Sequence, residues 1–300
     1  MLPLKSPNLK SSPKLSVLLP SYNYRDGLLR ILGRFEPFIG GDIEIIIGDN
    51  STNDLIKKTV EPWVKKFPNR IKYFWNNPTK TPIQNWNFLI DEAIGEYVWI
   101  IHHDEFPETS QTIGDVLKRL SNSLLVDVFL LNCLLTFSGG RFIRPHFNIA
   151  LRDWLIRLNP VYLLRRNVIG PTGILIIRRV LYPRFDLRLH WLVDVDVYVS
   201  LFLKNINWVS CPGVMIHSEQ GRANSLTKGL GKSIQSIRKS ELKYLQNRMH
   251  SRDIWLGSYP GEPIERKLLR FFEATIWMAY RVVTKSLAYI FFTPASLEMP

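Results

Sequence analysis

Apolar runs and polar breaks alternate regularly through the first hundred residues. Leu15–Pro20 (LSVLLP) is a short apolar run ending in proline, which predicts a buried strand leading into a loop. Tyr24 to Phe35 carries apolar residues at helical spacing. Ile43–Ile47 (IEIII) is a second buried strand, and the turn-forming GDNSTND follows it. Thr52 or Asn53 can cap a helix running to about Phe67. Ile71–Trp75 predicts a third strand. Pro82 suits the first turn of a helix that ends near Gly95, and Glu96–Ile101 (EYVWII) predicts a fourth strand. Strands that are apolar almost throughout, separated by helices, imply a parallel sheet covered on both faces. Such sheets bind ligands at the carboxyl ends of their strands. The polar clusters SYN at 21–23, GDNSTND at 48–54 and HHDE at 102–105 all fall there.

Beyond Pro107 the pattern loosens. Leu124–Leu135 fits a strand pair or a buried helix, and Arg141 to Arg166 is basic and aromatic with weak periodicity. Gly173–Arg178 predicts a strand, Val193–Leu203 a helix carrying Asp194 and Asp196, and Trp208–Ile216 a late strand. Residues 1–14 lack an apolar core and read as a flexible leader. From Ile264 to Phe292 an Arg/Lys stripe faces a broad apolar surface on a helical wheel, which suits either a docked core helix or one lying on a membrane. No uncharged apolar stretch reaches the ~18 residues of a bilayer span.

Charge sharpens this picture. The 300 residues hold 39 Lys and Arg against 26 Asp and Glu, a net of +13. More than half of that excess lies after residue 221, and the region 226–300 is basic and expected to be helical. The excess implies an anionic partner: a phosphorylated small molecule, an acidic lipid surface or nucleic acid. The two cysteines, Cys133 and Cys211, have no metal-site or redox-motif spacing. Neither GxGxxG nor GxxxxGK[ST] occurs, so the usual dinucleotide and P-loop readings lack support.

His102-x-Asp104 at a strand end puts two ligand-bearing side chains on one side of the chain, with Glu105 adjacent. Imidazole plus carboxylate suits Mn²⁺ or Mg²⁺. Asp49 at the second strand tip can accept from a base or ribose, or simply close an Asx turn.

These segments resemble the family-two glycosyltransferases with the GT-A fold. The matching stretches are LSVLLPSYN at 15–23, IEIIIGDNSTND at 43–54, NWNFLIDEAIGEYVWIIHHDE at 85–105 and FDLRLHWLVDVDVYVSLF at 185–202. The resemblance implies a Rossmann-like, mostly parallel sheet flanked by helices, forming a catalytic domain over 15–225. A nucleotide-sugar half at 15–106 would precede an acceptor half at 107–225. Pro20, Ser21 and Asn23 would line the nucleoside pocket, and Asp49 would pair with the base, uracil or thymine. His102 stands where the family usually has the first Asp of its D-x-D motif, and Asp104 where it has the last, so both are candidate metal ligands. His217 is placed like a residue that returns to the metal or diphosphate in some relatives. Arg222 would help hold the diphosphate. Asp194 falls at the general base, with Asp196 as the alternative two residues on; Val193 replaces the usual acidic neighbour.

The implied activity is inverting, metal-dependent sugar transfer from a UDP- or dTDP-sugar to a glycan or polyprenyl-linked acceptor. It would take place at the cytoplasmic face of an anionic membrane, with no nucleic-acid partner. Three rivals are a nucleotidyltransferase, a basic nucleic-acid-binding protein without enzymatic activity, and a degenerate transferase without activity. The loop after the first strand, SYNYRDG, lacks the Gly-rich basic character of the nucleotidyltransferases, and no nucleic-acid-binding motif accompanies the charge.

Overall fold

The computed structural model describes residues 12–137, 142–221 and 233–250. Its first half alternates as the hydrophobic pattern predicts. β1 (Leu15–Ser21), α1 (Arg25–Phe35), β2 (Ile43–Asp49), α2 (Leu55–Lys66), β3 (Ile71–Trp75), α3 (Pro82–Glu92) and β4 (Tyr97–Ile100) follow in turn. The second half contains β5 (Glu105–Pro107), α4 (Ser110–Asn122), β6 (Val128–Phe137), β7 (Phe142–Pro145) and α5 (Ile149–Leu158). It continues with β8 (Leu175–Arg178), α6 (Val193–Phe202), β9 (Trp208–Glu219) and α7 (Ile234–His250).

The strands form one sheet in the order β3-β2-β1-β4-β8-β6-β9-β5, with β7 paired to β6. β3, β2, β1 and β4 are parallel. Beyond β4 the sheet is mixed, since β8 runs antiparallel to both β4 and β6 while β9 is parallel to β6. β1 and β2 are buried at every position, as strands covered on both faces must be. Pro20 lies beyond the last β1–β4 pair, Leu18↔Ile100, where β4 has no partner strand to offer it.

Two polar residues inside these apolar strands have structural work. Ser16 donates to Glu44 at 2.6 Å, and Glu44 accepts the Ile94 amide at 2.8 Å. Ser16 in turn accepts the Gly95 amide at 2.8 Å. A Cβ on Gly95 would lie 2.6 Å from the Ser16 hydroxyl, so the GEY turn must begin with glycine. This network ties the turn after α3 to the amino ends of β1 and β2.

β4 and β5 are separated in sequence by residues 101–104 alone, yet β8, β6 and β9 lie between them in the sheet. Across a flat sheet that is about 19 Å. The link is a turn, because the Glu105 amide donates to the His102 carbonyl at 2.9 Å, so it cannot reach so far. The sheet therefore curls until β5 returns beside the end of β4.

Several expectations change. Leu124–Leu135 is neither a strand pair nor a helix: β6 is one long strand, buried because β8 and β9 flank it on both sides. Asp54, not Thr52 or Asn53, is the N-cap residue of α2; Asn53 instead accepts the Leu55 amide at 3.0 Å. Residues 13 and 14 are not a free leader, because the Pro13 and Lys14 carbonyls accept the Glu96 and Tyr97 amides. The boundary at 225/226 does not separate α7 from the sheet domain. Leu245 and Met249 are buried, and Tyr244 and Arg248 donate to Asp186 at 2.6 and 3.0 Å. The segment 264–292 and Arg222 lie outside the described residues.

Asp186 sets the acid sensitivity of this junction. Hydrogen bonds from Arg188, then Tyr244, hold its carboxyl well below the ordinary value of 3.8. A depressed carboxyl contributes stability in full above its unfolded pKa and loses it progressively as pH falls from there to the lower folded value. The difference in melting temperature between the wild type and Asp186→Asn is therefore expected to be large at pH 6 and to vanish well below pH 3.8. A difference independent of pH would show that the ionised carboxylate contributes nothing.

Candidate active site

The carboxyl ends of β1, β2 and β4 converge as expected. The Asn50 amide donates to the Ser21 carbonyl at 2.9 Å, and the Asn23 amide donates to the Ser51 hydroxyl at 2.8 Å. Asn23 has φ +48°, a left-handed conformation that asparagine tolerates well. The Ser21 hydroxyl and the Asn23 side-chain oxygen are both buried without a partner. Buried polar atoms are normally satisfied, so this unsatisfied pair beside Pro20 fits a ligand that supplies hydrogen bonds.

Asp49 differs from its expected role. It is fully buried, and both carboxylate oxygens are engaged, one by the Ser51 amide at 2.8 Å and the other by the Tyr73 hydroxyl at 2.7 Å. In this conformation its side chain orders the turn and is closed to a base. Asn85 supports the same turn by donating to the Gly48 carbonyl at 2.8 Å. A Cβ on Gly48 would come within 2.3 Å of the Asn85 side-chain oxygen. Asn76 joins Asn50 to Asn85 by side-chain bonds of 2.8 and 2.9 Å.

The turn after β4 gathers three ligand-bearing side chains. Ligand atoms of His102, Asp104 and Glu105 lie within 4.8 Å of one another. Glu105 is buried, 3.4 Å from His102 Nδ1, and accepts the His102 amide at 3.2 Å. Its space exists because position 173 has no side chain: a Cβ there would meet the Glu105 carboxylate at 2.2 Å. Trp86 lies over the His102 ring at 4.8 Å, and Phe185 packs edge-on against Trp86. One imidazole and two carboxylates, preassembled and partly shielded, form a donor set that fits Mn²⁺ or Mg²⁺. Burial opposes charge on His102, but Glu105, helped by Asp104 and Asp194, outweighs it and lifts the imidazole to about 9. A cation would take the place of that proton.

His217 is not brought to this cluster. Glu105 pairs with Ser218 and Phe106 with His217, so His217 projects from the opposite face of the sheet to Glu105. There it stacks on Phe106 at 5.1 Å and bonds Thr136 at 2.9 Å, and burial lowers its pKa. It is a packed histidine of the β5–β9 seam. Glu105, adjacent in sequence to the expected pair, takes the third position. The signal for it was its place in HHDE; what could not be read there was that the turn folds its carboxylate back onto His102.

The two aspartates of α6 separate cleanly. Asp196 is buried and ion-paired with Arg248 of α7. Asp194, the second residue of α6 and within its first turn, is half-buried, and no hydrogen bond or ion pair among the described residues engages its carboxylate. Burial pushes Asp194 up to about 6, with His102 opposing the rise and Glu105 and Asp104 adding to it. Asp194 thus lies within electrostatic reach of the cluster at the β4 end. α3 holds the chain before α6 in place: Asn87 donates to the Phe185 carbonyl and accepts the Phe185 amide, both at 2.9 Å.

A curled mixed sheet with a ligand-bearing turn after β4 and a carboxylate helix facing it is the GT-A arrangement. Residues 16–182, more than half of the chain, match the family described as Glycosyl transferase family 2, and the chain belongs to that family. It is 30% identical over 152 residues to a GalNAc(5)-diNAcBac-PP-undecaprenol beta-1,3-glucosyltransferase of Campylobacter jejuni, covering 48% of each chain. It is 31% identical over 94 residues to the abequosyltransferase RfbV of Salmonella typhimurium, covering 30% of this chain and 28% of that one. The chain thus aligns with about half the length of the first relative and less of the second. Among solved structures, S. aureus TarS in complex with UDP-GlcNAc aligns with a TM-score of 0.53 at 18% identity, over 71% of this chain and 60% of that one. The mannosyltransferase PcManGT from Pyrobaculum calidifontis, in complex with GDP-Man and Mn²⁺, aligns with a TM-score of 0.52 at 15% identity, over 95% and 88%.

Proposed function

We propose that this protein transfers a sugar from a nucleoside diphosphate sugar to a lipid-linked glycan, with inversion at the anomeric carbon. What supports the reading most is Asp194, a half-buried carboxylate near enough to His102, Asp104 and Glu105 to feel their charges and raised by burial to about 6. An acceptor hydroxyl is a poor nucleophile near pH 7. Asp194 takes its proton as the oxygen attacks, and the nucleoside diphosphate leaves from the opposite side of the carbon. Glu105 is buried against His102, and Asp104 and Glu105 are assigned to the cation in this proposal, so Asp194 acts as a base without a covalent intermediate and one displacement gives inversion. Ser21 and Asn23 offer their unpartnered atoms to the nucleoside, and Arg222 belongs to the diphosphate side of the same proposal. His102, Asp104 and Glu105 would hold a divalent cation, which supplies charge stabilisation for the leaving diphosphate when bound.

A uracil or thymine nucleotide is the favoured donor, in keeping with the UDP-GlcNAc complex of TarS. The Campylobacter relative's name describes an undecaprenyl-diphosphate-linked acceptor, which supports one of that class here. No helix among the described residues is long and apolar enough to cross a membrane. The net charge of +13 supports peripheral attachment to an anionic cytoplasmic membrane face. A donor screen tests the proposal. UDP- or dTDP-sugars are expected to raise the melting temperature with Mn²⁺ present, and EDTA is expected to remove the shift. A panel of nucleotide sugars that produces no shift and no transfer to an undecaprenyl-diphosphate-linked glycan would overturn it.

A further inference from the structure

α6 begins without a cap of its own. Leu192 is its N-cap residue and has no side chain able to accept the free amides of the first turn. The three residues that lead into the helix are instead held from α7, some fifty residues further along the chain. Glu241, buried, accepts the His190 amide at 2.6 Å, the Trp191 amide at 3.1 Å and the Leu192 amide at 2.8 Å. A carboxylate on three successive amides at a helix start combines charge-assisted hydrogen bonds with a favourable helix dipole.

The same face of α7 continues to grip the segment. Tyr244 and Arg248, three and seven residues after Glu241, return to that face. Tyr244 donates to Asp186, and Arg248 donates to both Asp186 and Asp196. One helix thus holds residues 186, 190–192 and 196, on both sides of Asp194. We infer that Glu241 and Arg248 are positioning residues for Asp194: α7 fixes the first turn of α6, and with it the direction in which the Asp194 carboxylate points. Arg248 also binds Asp196, leaving Asp194 as the carboxylate of this turn that is open to a substrate. The catalytic part of this inference rests on Asp194 being the base.

The test uses the full-length protein. Glu241→Gln keeps the shape but loses the charge and one acceptor. Amide exchange at residues 190–194 is expected to quicken by about 10- to 100-fold, while exchange in α1 to α3 stays unchanged. Turnover with the donor selected above is expected to fall by about 10-fold or more, with the donor KM within about twofold. Because Glu241 acts through Asp194, the double variant Glu241→Gln, Asp194→Asn is expected to be no slower than Asp194→Asn alone. Unchanged exchange at 190–194, or effects of the two substitutions that multiply, would overturn the inference. Should Glu241→Gln fail to fold, Arg248→Lys is read the same way, with quickened exchange expected at 192–196. Full turnover in Asp194→Asn would overturn the base assignment instead, and the exchange measurement still decides whether α7 holds this turn.

Discussion

Asp194→Asn is expected to lower transfer by about 10²–10⁴-fold while leaving donor binding nearly unchanged, because a general base acts in the transition state and not on the bound donor. The substitution is nearly isosteric, and Asp194 makes no ion pair among the described residues that it could lose. The fold should therefore persist. The sign of the pH dependence follows from the same group. Asp194 works ionised, so turnover is expected to fall as pH drops through about 6, the value to which burial raises it. Positive charge in the neighbouring cluster favours the carboxylate, so bound Mn²⁺ moves the inflection lower. Asp196→Asn is expected to act elsewhere: it weakens one of the two carboxylate contacts of Arg248 and lowers the melting temperature. A large loss of turnover at 196 with none at 194 would reassign the base.

Asp104→Ala is expected to cost about 10²–10³-fold in turnover, the scale on which charge stabilisation of a leaving group is lost. The protein should remain folded. Asp104 is half-buried at a turn and its carboxylate supports no strand; its carbonyl accepts the Glu219 amide at 2.8 Å, and alanine retains that carbonyl. The protection that UDP gives against thermal unfolding in the presence of Mn²⁺ should disappear in the variant. Wild-type turnover by Asp104→Ala in EDTA would remove the metal from the mechanism altogether.

The donor-side elements were legible because β1, β2 and β4 are almost continuously apolar and α3 carries clear end markers. Thr81 and Gln84 form a capping box with Pro82 in the first turn of α3, and Gly95 follows its end. The family resemblance carried the fold further than periodicity could. α4 has a readable signal as well, since Ile113, Val116 and Leu120 repeat at helical spacing behind a Thr109–Thr112 capping pair. The acceptor side is harder because its contacts are distant in sequence. Nothing local to residues 190–192 announces that Glu241 accepts their amides, and nothing near Asp196 announces Arg248. The same limit applies to His217. A histidine after a strand reads alike whether it faces the site or the far side of the sheet, and only its pairing with Phe106 decides which. Asp49 was placed correctly at its strand tip, but Tyr73, its second partner, comes from another strand.

The curl that brings β5 back beside β4 also has a consequence for synthesis. Glu105 is held in register by Ser218, so the turn carrying His102, Asp104 and Glu105 is fixed only when β9 has arrived. A nascent chain that has emerged as far as β4 already has four parallel strands and a buried core, yet it lacks the strand that locks the ligand turn. The nucleotide half can thus collapse early while the cluster matures late, once residues up to 219 have left the ribosome. Ribosome-bound chains halted before Trp208 are therefore expected to protect β1–β4 from protease while failing to retain Mn²⁺.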